Sequence, residues 1–150
     1  MNLEFRKATS ADLHDALIMM QCFYEIDNYT FNNEEAGKNF LEFTNSDELG
    51  VFWLVIFEGE IIGYLILTFG YSFEHGGRDA FIDEFYIKEE HRGKGFGKEA
   101  LKQLVFEVES LGIRAIHLEV EKRNTIGVDL YLKSGFQGND RSLLTKKINQ

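Results

Sequence analysis

"EEHRGKGFGKEAL" (residues 89–101) is the stretch on which the reading of the fold turns. Gly93, Gly95 and Gly97 are flanked by Arg92, Lys94 and Lys98 and run straight into a helical pattern. A helix N-terminus leaves backbone N–H groups unpaired and carries partial positive charge. An anion such as a pyrophosphate satisfies both. Glycine lets the backbone approach closely and adopt positive φ. A strand, this turn and a helix therefore make a phosphate cradle; the alternative is an ordinary glycine-rich connection. The P-loop pattern is excluded, because Gly97-Lys98 is followed by Glu99 rather than Ser or Thr. The dinucleotide fingerprint fails as well. Gly93-x-Gly95-x-Gly97 has the wrong spacing, and no βαβ unit opens the chain.

Outward from this turn, "AFIDEFYI" (80–87) reads as a strand. The helix over 95–111 buries Ala100, Leu101, Leu104, Val105, Val108 and Leu111, and Gly112 ends it. Toward the N-terminus, "VFWLVIF" (51–57) and "IIGYLILTF" (61–69) form a hairpin around "EGE". A strand is expected over 3–7, then a helix capped by Thr9 or Ser10 with Leu13, Ala16, Leu17, Met20 and Phe23 on its apolar stripe. Residues 24–33 read as a loop and 34–44 as a second helix. Toward the C-terminus, 114–121 is a strand, Asn124 caps a helix through Lys133 that Gly135 stops, and "RSLLTKKI" (141–148) is a last strand. The order is βααβββαβαβ. That makes an α+β fold with a mixed sheet, read as one domain over residues 1–150.

The chain has 150 residues, 44% of them hydrophobic, enough for a core. The longest apolar runs are too short to cross a bilayer, and no apolar signal region opens the chain. A cytoplasmic protein with no membrane partner is expected. The single Cys22 permits no intrachain disulfide and reads as a buried helix residue. Net charge −9 argues against nucleic acid and would draw in a cationic substrate. No His/Cys/Asp/Glu spacing suggests a metal site.

Arg92-Gly93-Lys94-Gly95-Phe96-Gly97 resembles the [QR]-x-x-G-x-[GA] loop of the GNAT superfamily, the acyl-CoA-dependent N-acyltransferases. "IDEFYIKEEHRGKGFG" is similar to that family's strand-then-loop block. "NTIGVDLYLKSGF" is similar to its N-x-x-[AG]-x-x-x-Y-x-x-x-G-F block, with Asn124, Gly127, Tyr131, Gly135 and Phe136 in place. The element order matches across nearly the whole chain. The resemblance implies acetyl-CoA as co-substrate, its pyrophosphate held by the amides of Gly93 to Lys98. It also implies that the backbone of Phe85, Tyr86 and Ile87 parts from a neighbouring strand and pairs with the pantetheine arm. Asn124 would bind that arm besides capping its helix. Tyr131 would sit near the sulfur, as acid or hydrogen-bond donor to a departing thiolate; its alternative is a core aromatic. Dimers are frequent in the family, so a homodimer is an open expectation.

Transfer to an amine needs a group to take its proton. Asp83 and Glu84 are the candidates, matching an acid pair of polyamine-type members. Regular alternation puts Phe81, Asp83, Phe85 and Ile87 on one face, and Ile82, Glu84 and Tyr86 on the other. One carboxylate then faces the cleft whichever way the strand turns. Alternatively the pair only holds a loop or a substrate ammonium. The acceptor, a small cationic amine, is expected near Tyr24, Glu25, Asp27, Tyr29, Phe31, Asp83 and the loop "YSFEHGGRD" (71–79) with Glu74 and His75. Two other functions stay open: a non-catalytic acyl-CoA sensor, and an acetyltransferase acting on protein lysine or N-terminal amines.

Overall fold

Val51 to Phe57 is apolar at every position, which suits a strand covered on both faces. In the computed structural model, which describes residues 2–149, this run lies in β2 (Gly50–Phe57), buried at every residue up to Ile56. β1 (Leu3–Lys7) and β3 (Glu60–Ser72) flank it antiparallel. β4 (Gly77–Ile87) pairs antiparallel with β3, and β5 (Ala115–Leu118) pairs parallel with β4. The sheet order is β1-β2-β3-β4-β5, and the sheet is mixed, as expected.

Alternation along the strands divides the core in two. Phe52, Leu54, Ile56, Tyr64, Ile66 and Tyr86 pack with Ala16, Met19, Met20 and Phe40 of α1 (Leu13–Ile26) and α2 (Asn33–Thr44). On the other face Val55, Ile62 and Ile87 pack with Phe96, the first residue of α3 (Phe96–Ser110). The remaining helix is α4 (Thr125–Lys133). The chain divides into two compact units, Met1–Glu119 and Val120–Gln150. The sheet and α1 to α3 belong to the first, α4 to the second. Among the described residues no helix is long and apolar enough to cross a membrane.

Several boundaries differ from expectation. α1 continues through Tyr24 and Glu25 to Ile26, into the stretch read as a loop. The Tyr24 ring packs edge-on against Phe31 at 5.2 Å, a contact sequence periodicity does not reveal. Residues 71–79 are mostly strand, because β3 and β4 stay paired out to Ser72 and Gly77. β5 is shorter than 114–121. Cys22 is exposed rather than buried. The last strand over 141–148 is absent among the described residues. Leu143 and Leu144 are adjacent, so a strand would send them to opposite faces, and both are exposed.

Candidate active site

The β3–β4 ladder is interrupted where the acids stand. Ile66 pairs with Glu84 and the next residue, Leu67, pairs with Ile82, so Asp83 has no partner. This is a β-bulge, which re-aims the side chains of the strand that carries the extra residue. Cross-strand partners share a face, and Ile66 and Leu67 face opposite sides. Ile82 and Glu84 therefore point to opposite faces, not to one face as regular alternation requires. The slip also lets the two consecutive carboxylates open on the same side of the sheet.

Both line a cavity of about 400 Å³ between the sheet and the first two helices. Its walls are Met20 and Tyr24 of α1, Ala36, Asn39, Phe40, Glu42 and Phe43 of α2, then Leu49, Phe52, Ile66 and Thr68. The lining contains three acids and no Lys, Arg or His. Tyr64 donates from its hydroxyl to Glu84 Oε1 at 2.8 Å, and Tyr24 donates to Oε2 at 3.1 Å. Asp83 has no hydrogen-bond partner among the described residues and is exposed.

Electrostatics follow from this packing. Burial pushes the Glu84 carboxyl above its ordinary range; the Tyr64 donor opposes that, the charge of Asp83 adds to it, and the Tyr24 donor opposes it. Burial raises Asp83 too, for although solvent reaches it, protein crowds around it. The Tyr24 phenol is pushed up to about 12 by burial and by Glu84. Tyr64, fully buried, is raised well above its usual value for the same reasons. Both phenols stay protonated at neutral pH and keep donating.

The glycine turn follows β4. A 3-10 turn over Glu89–His91 leads to Gly93 at φ 74 and Gly95 at φ 86, the N-cap of α3. Phe96 is buried, its ring 4.8 Å from Phe57, and anchors the helix start. The amides of Phe96, Gly97 and Lys98 have no carbonyl one turn back. Lys94 and Lys98 are exposed and pair with none of the described acids. Arg92 folds back instead, its Nε donating to the Ile87 carbonyl at 2.8 Å and its guanidinium 5.4 Å over the Tyr86 ring. β5 pairs with β4 only from Asp79 to Ile82, so Asp83 to Ile87, which include Phe85 and Tyr86, have no strand on that edge among the described residues. These features fit the bound pyrophosphate and pantetheine that the resemblance implies, except that Ile87's carbonyl is already engaged.

In the second unit the Asn124 side chain accepts from the Gly127 amide at 2.9 Å and caps α4, as expected. A Cβ at position 127 would collide with that side chain, which accounts for the small residue there. Tyr131 packs edge-on against Phe136 at 5.8 Å, and burial raises its phenol. Of the expected acceptor residues, Tyr24 and Asp83 line the cavity, beside the candidate base Glu84; Glu25, Asp27, Tyr29, Phe31, Glu74 and His75 do not. His75 lies at the β3–β4 hairpin, its ring 5.1 Å from His117. Sequence reasoning passed over Tyr64, Glu42 and Phe40. Tyr64 carries the one buried hydroxyl in an apolar strand, and such a group requires a partner.

A family profile described as "Acetyltransferase (GNAT) family" matches residues 17–136. The chain is 37% identical over 91 residues to an uncharacterized N-acetyltransferase, YycN, of Bacillus subtilis, covering 61% of this chain and 56% of that protein. It is 29% identical over 86 residues to the spermine/spermidine N(1)-acetyltransferase of the same organism, covering 55% and 57%. The chain thus spans a little over half the length of these curated relatives. Among solved structures, an integron cassette protein from the Cole Harbour salt marsh metagenome superposes with a TM-score of 0.85 at 29% identity, over 97% of this chain and 91% of that one. A Clostridium acetobutylicum protein, described as a predicted acetyltransferase with acetyl-CoA, does so at 0.77 and 24%, over 97% and 96%.

Proposed function

Because this chain belongs to the acetyltransferase (GNAT) family, we propose that it transfers an acetyl group from acetyl-CoA to a small cationic amine bound beside Asp83 and Glu84. The observation that carries the reading is the cavity itself: two adjacent carboxylates, aromatic walls, and no cation in the lining. An ammonium group supplies the missing counter-charge, and the aromatic rings of Tyr24, Phe40, Phe43 and Phe52 stand in the same lining, where a cation is attracted to a ring. The similarity to a spermine/spermidine N(1)-acetyltransferase points the same way.

Acetyl-CoA supplies the activated acyl thioester. The chain supplies three things. Backbone amides from Gly93 to Lys98, with the charges of Lys94 and Lys98, hold the pyrophosphate. Glu84, raised by burial and by its neighbour, takes the proton that makes the amine a nucleophile. Asp83, unpaired beside it, faces the ammonium. Desolvation in the cavity lowers the amine's own affinity for its proton, and the neighbouring carboxylates raise it, so a base is needed to remove the proton. By family resemblance alone, Asn124 binds the pantetheine arm and Tyr131 donates to the departing thiolate.

Thiol release from acetyl-CoA, followed across polyamines, aminoglycosides, amino acids and peptides, tests this. Turnover with a polyamine or another small cationic amine is the expected result. Silence from every amine while acetyl-CoA still binds would overturn it in favour of a coenzyme-binding sensor. Turnover confined to peptides would favour a protein substrate.

A further inference from the structure

Resting on that acetyl-transfer reading, one feature of the cavity goes further. Glu84 is held at both oxygens by phenols from two different elements, Tyr64 on β3 and Tyr24 on α1. Tyr64 is fully buried and its ring lies 5.2 Å from Phe52 and 5.7 Å from Tyr86, so its hydroxyl has little freedom. Its neighbour in the bulge, Asp83, has no such donors. The two acids of the pair are therefore not equivalent: one is clamped, the other loose.

We propose that Tyr64 and Tyr24 are positioning residues for the reaction, fixing through Glu84 the orientation of that carboxylate and its hold on a proton. A phenol that donates to a carboxylate stabilises the ionised form. It opposes the burial that raises the Glu84 carboxyl. The other titratable groups facing Glu84 act against ionisation or are neutral. Asp83 on β4 and Glu42 on α2 add negative charge to the same cavity, and Tyr86 lies beside Tyr64. Glu35 on α2 acts on the Tyr24 phenol. The two hydroxyls are the groups that favour the ionised carboxylate against burial, and their hydrogen bonds to both oxygens fix its orientation in the cavity. Two lone pairs per oxygen leave room for the amine's proton besides the phenol donors.

The test deletes one oxygen at a time. In Tyr64→Phe and Tyr24→Phe the rings remain. The pH profile of kcat/KM is measured with acetyl-CoA and spermidine, or with whichever panel amine turns over. In parallel, carbon-13 NMR of the side-chain carboxyls follows the Glu84 titration midpoint without any substrate. Each hydroxyl removed is expected to move the acidic limb, and the Glu84 midpoint, upward by about one pH unit. Placed in a Glu84→Gln background, Tyr64→Phe is expected to produce no further change in kcat/KM, because its partner is gone. Unmoved midpoints in both variants, or a Tyr64→Phe loss that adds fully to Glu84→Gln, would overturn the proposal. If the midpoint moves while no amine is acetylated, the clamp stands and it is the acetyl-transfer reading that falls.

Discussion

Asp12 and Asp83 carry the same side chain and opposite pH dependences. Asp12, 8% exposed, receives both ends of the Arg6 guanidinium at 3.0 and 3.1 Å and the Thr9 amide at 2.9 Å. The Arg6 hydrogen bonds hold its carboxyl below the ordinary range against burial. Its stabilisation is present above the unfolded midpoint and is lost as pH falls through the folded one. Asp12→Asn should cost about 1 kcal/mol at pH 7, allowing for solvent around the half-exposed Arg6, with the difference vanishing in acid; thermal unfolding across pH checks it. Asp83 is raised by burial, so its contribution is whole below about pH 4 and is lost as pH rises through the folded midpoint. Asp83→Asn should therefore melt higher than wild type at pH 7, by a margin that the solvent around Asp83 keeps small, and no higher below about pH 4. The same variant should lose roughly tenfold or more in kcat/KM. Tyr131 is raised by burial as well, which widens the gap between a phenol and a thiol. In the proposed reaction a phenol so raised suits hydrogen-bond donation to a thiolate better than full proton transfer. Tyr131→Phe should lower kcat by about 10²-fold while calorimetry finds acetyl-CoA binding unchanged. The acid pair was legible in sequence, but Tyr64 was not singled out, because the partner of its hydroxyl lies 20 residues away along the chain.

Among elements, the strand over 80–87 and the glycine turn that opens a helix are both present as expected, whereas the regular alternation of faces along that strand is not. Positive φ at Gly95 is a local requirement of a turn that becomes a helix cap, and local requirements show in residue type. Gly95→Ala should cost about 1 kcal/mol of backbone strain, a fall of about 2–4 °C in Tm, and should weaken acetyl-CoA binding about tenfold or more by misplacing the amides. Gly112→Ala is the control. It has φ 70 and open space for a Cβ, so it should show the same loss of Tm and unchanged affinity by calorimetry. The bulge at Asp83 could not be read this way. Alternation presumes an unbroken ladder, and a bulge is decided by how two strands pair, not by either strand's composition. The same limit explains the last strand: "RSLLTKKI" has strand-forming residues, but no partner among the described residues takes it up.

For the whole molecule, net charge −9 adds to the field of the acidic cavity and steers cations toward it. With spermidine as acceptor, kcat/KM should fall severalfold or more between about 50 and 500 mM KCl, mostly through KM, as the Debye length shrinks; steady-state kinetics at the two salt concentrations decide it. The family, the mixed sheet and the helix-capping glycines were determined by the amino-acid sequence alone. Periodicity, caps and turn residues express preferences that each segment satisfies with its own backbone. Tertiary structure alone decided which side of the sheet Asp83 and Glu84 share, which phenols grip Glu84, and how far α1 runs before Asn28 breaks it at φ 58. Those outcomes depend on distances between residues remote in sequence, such as the 2.8 Å from Tyr64 to Glu84, and such distances exist only once strands and helices have packed.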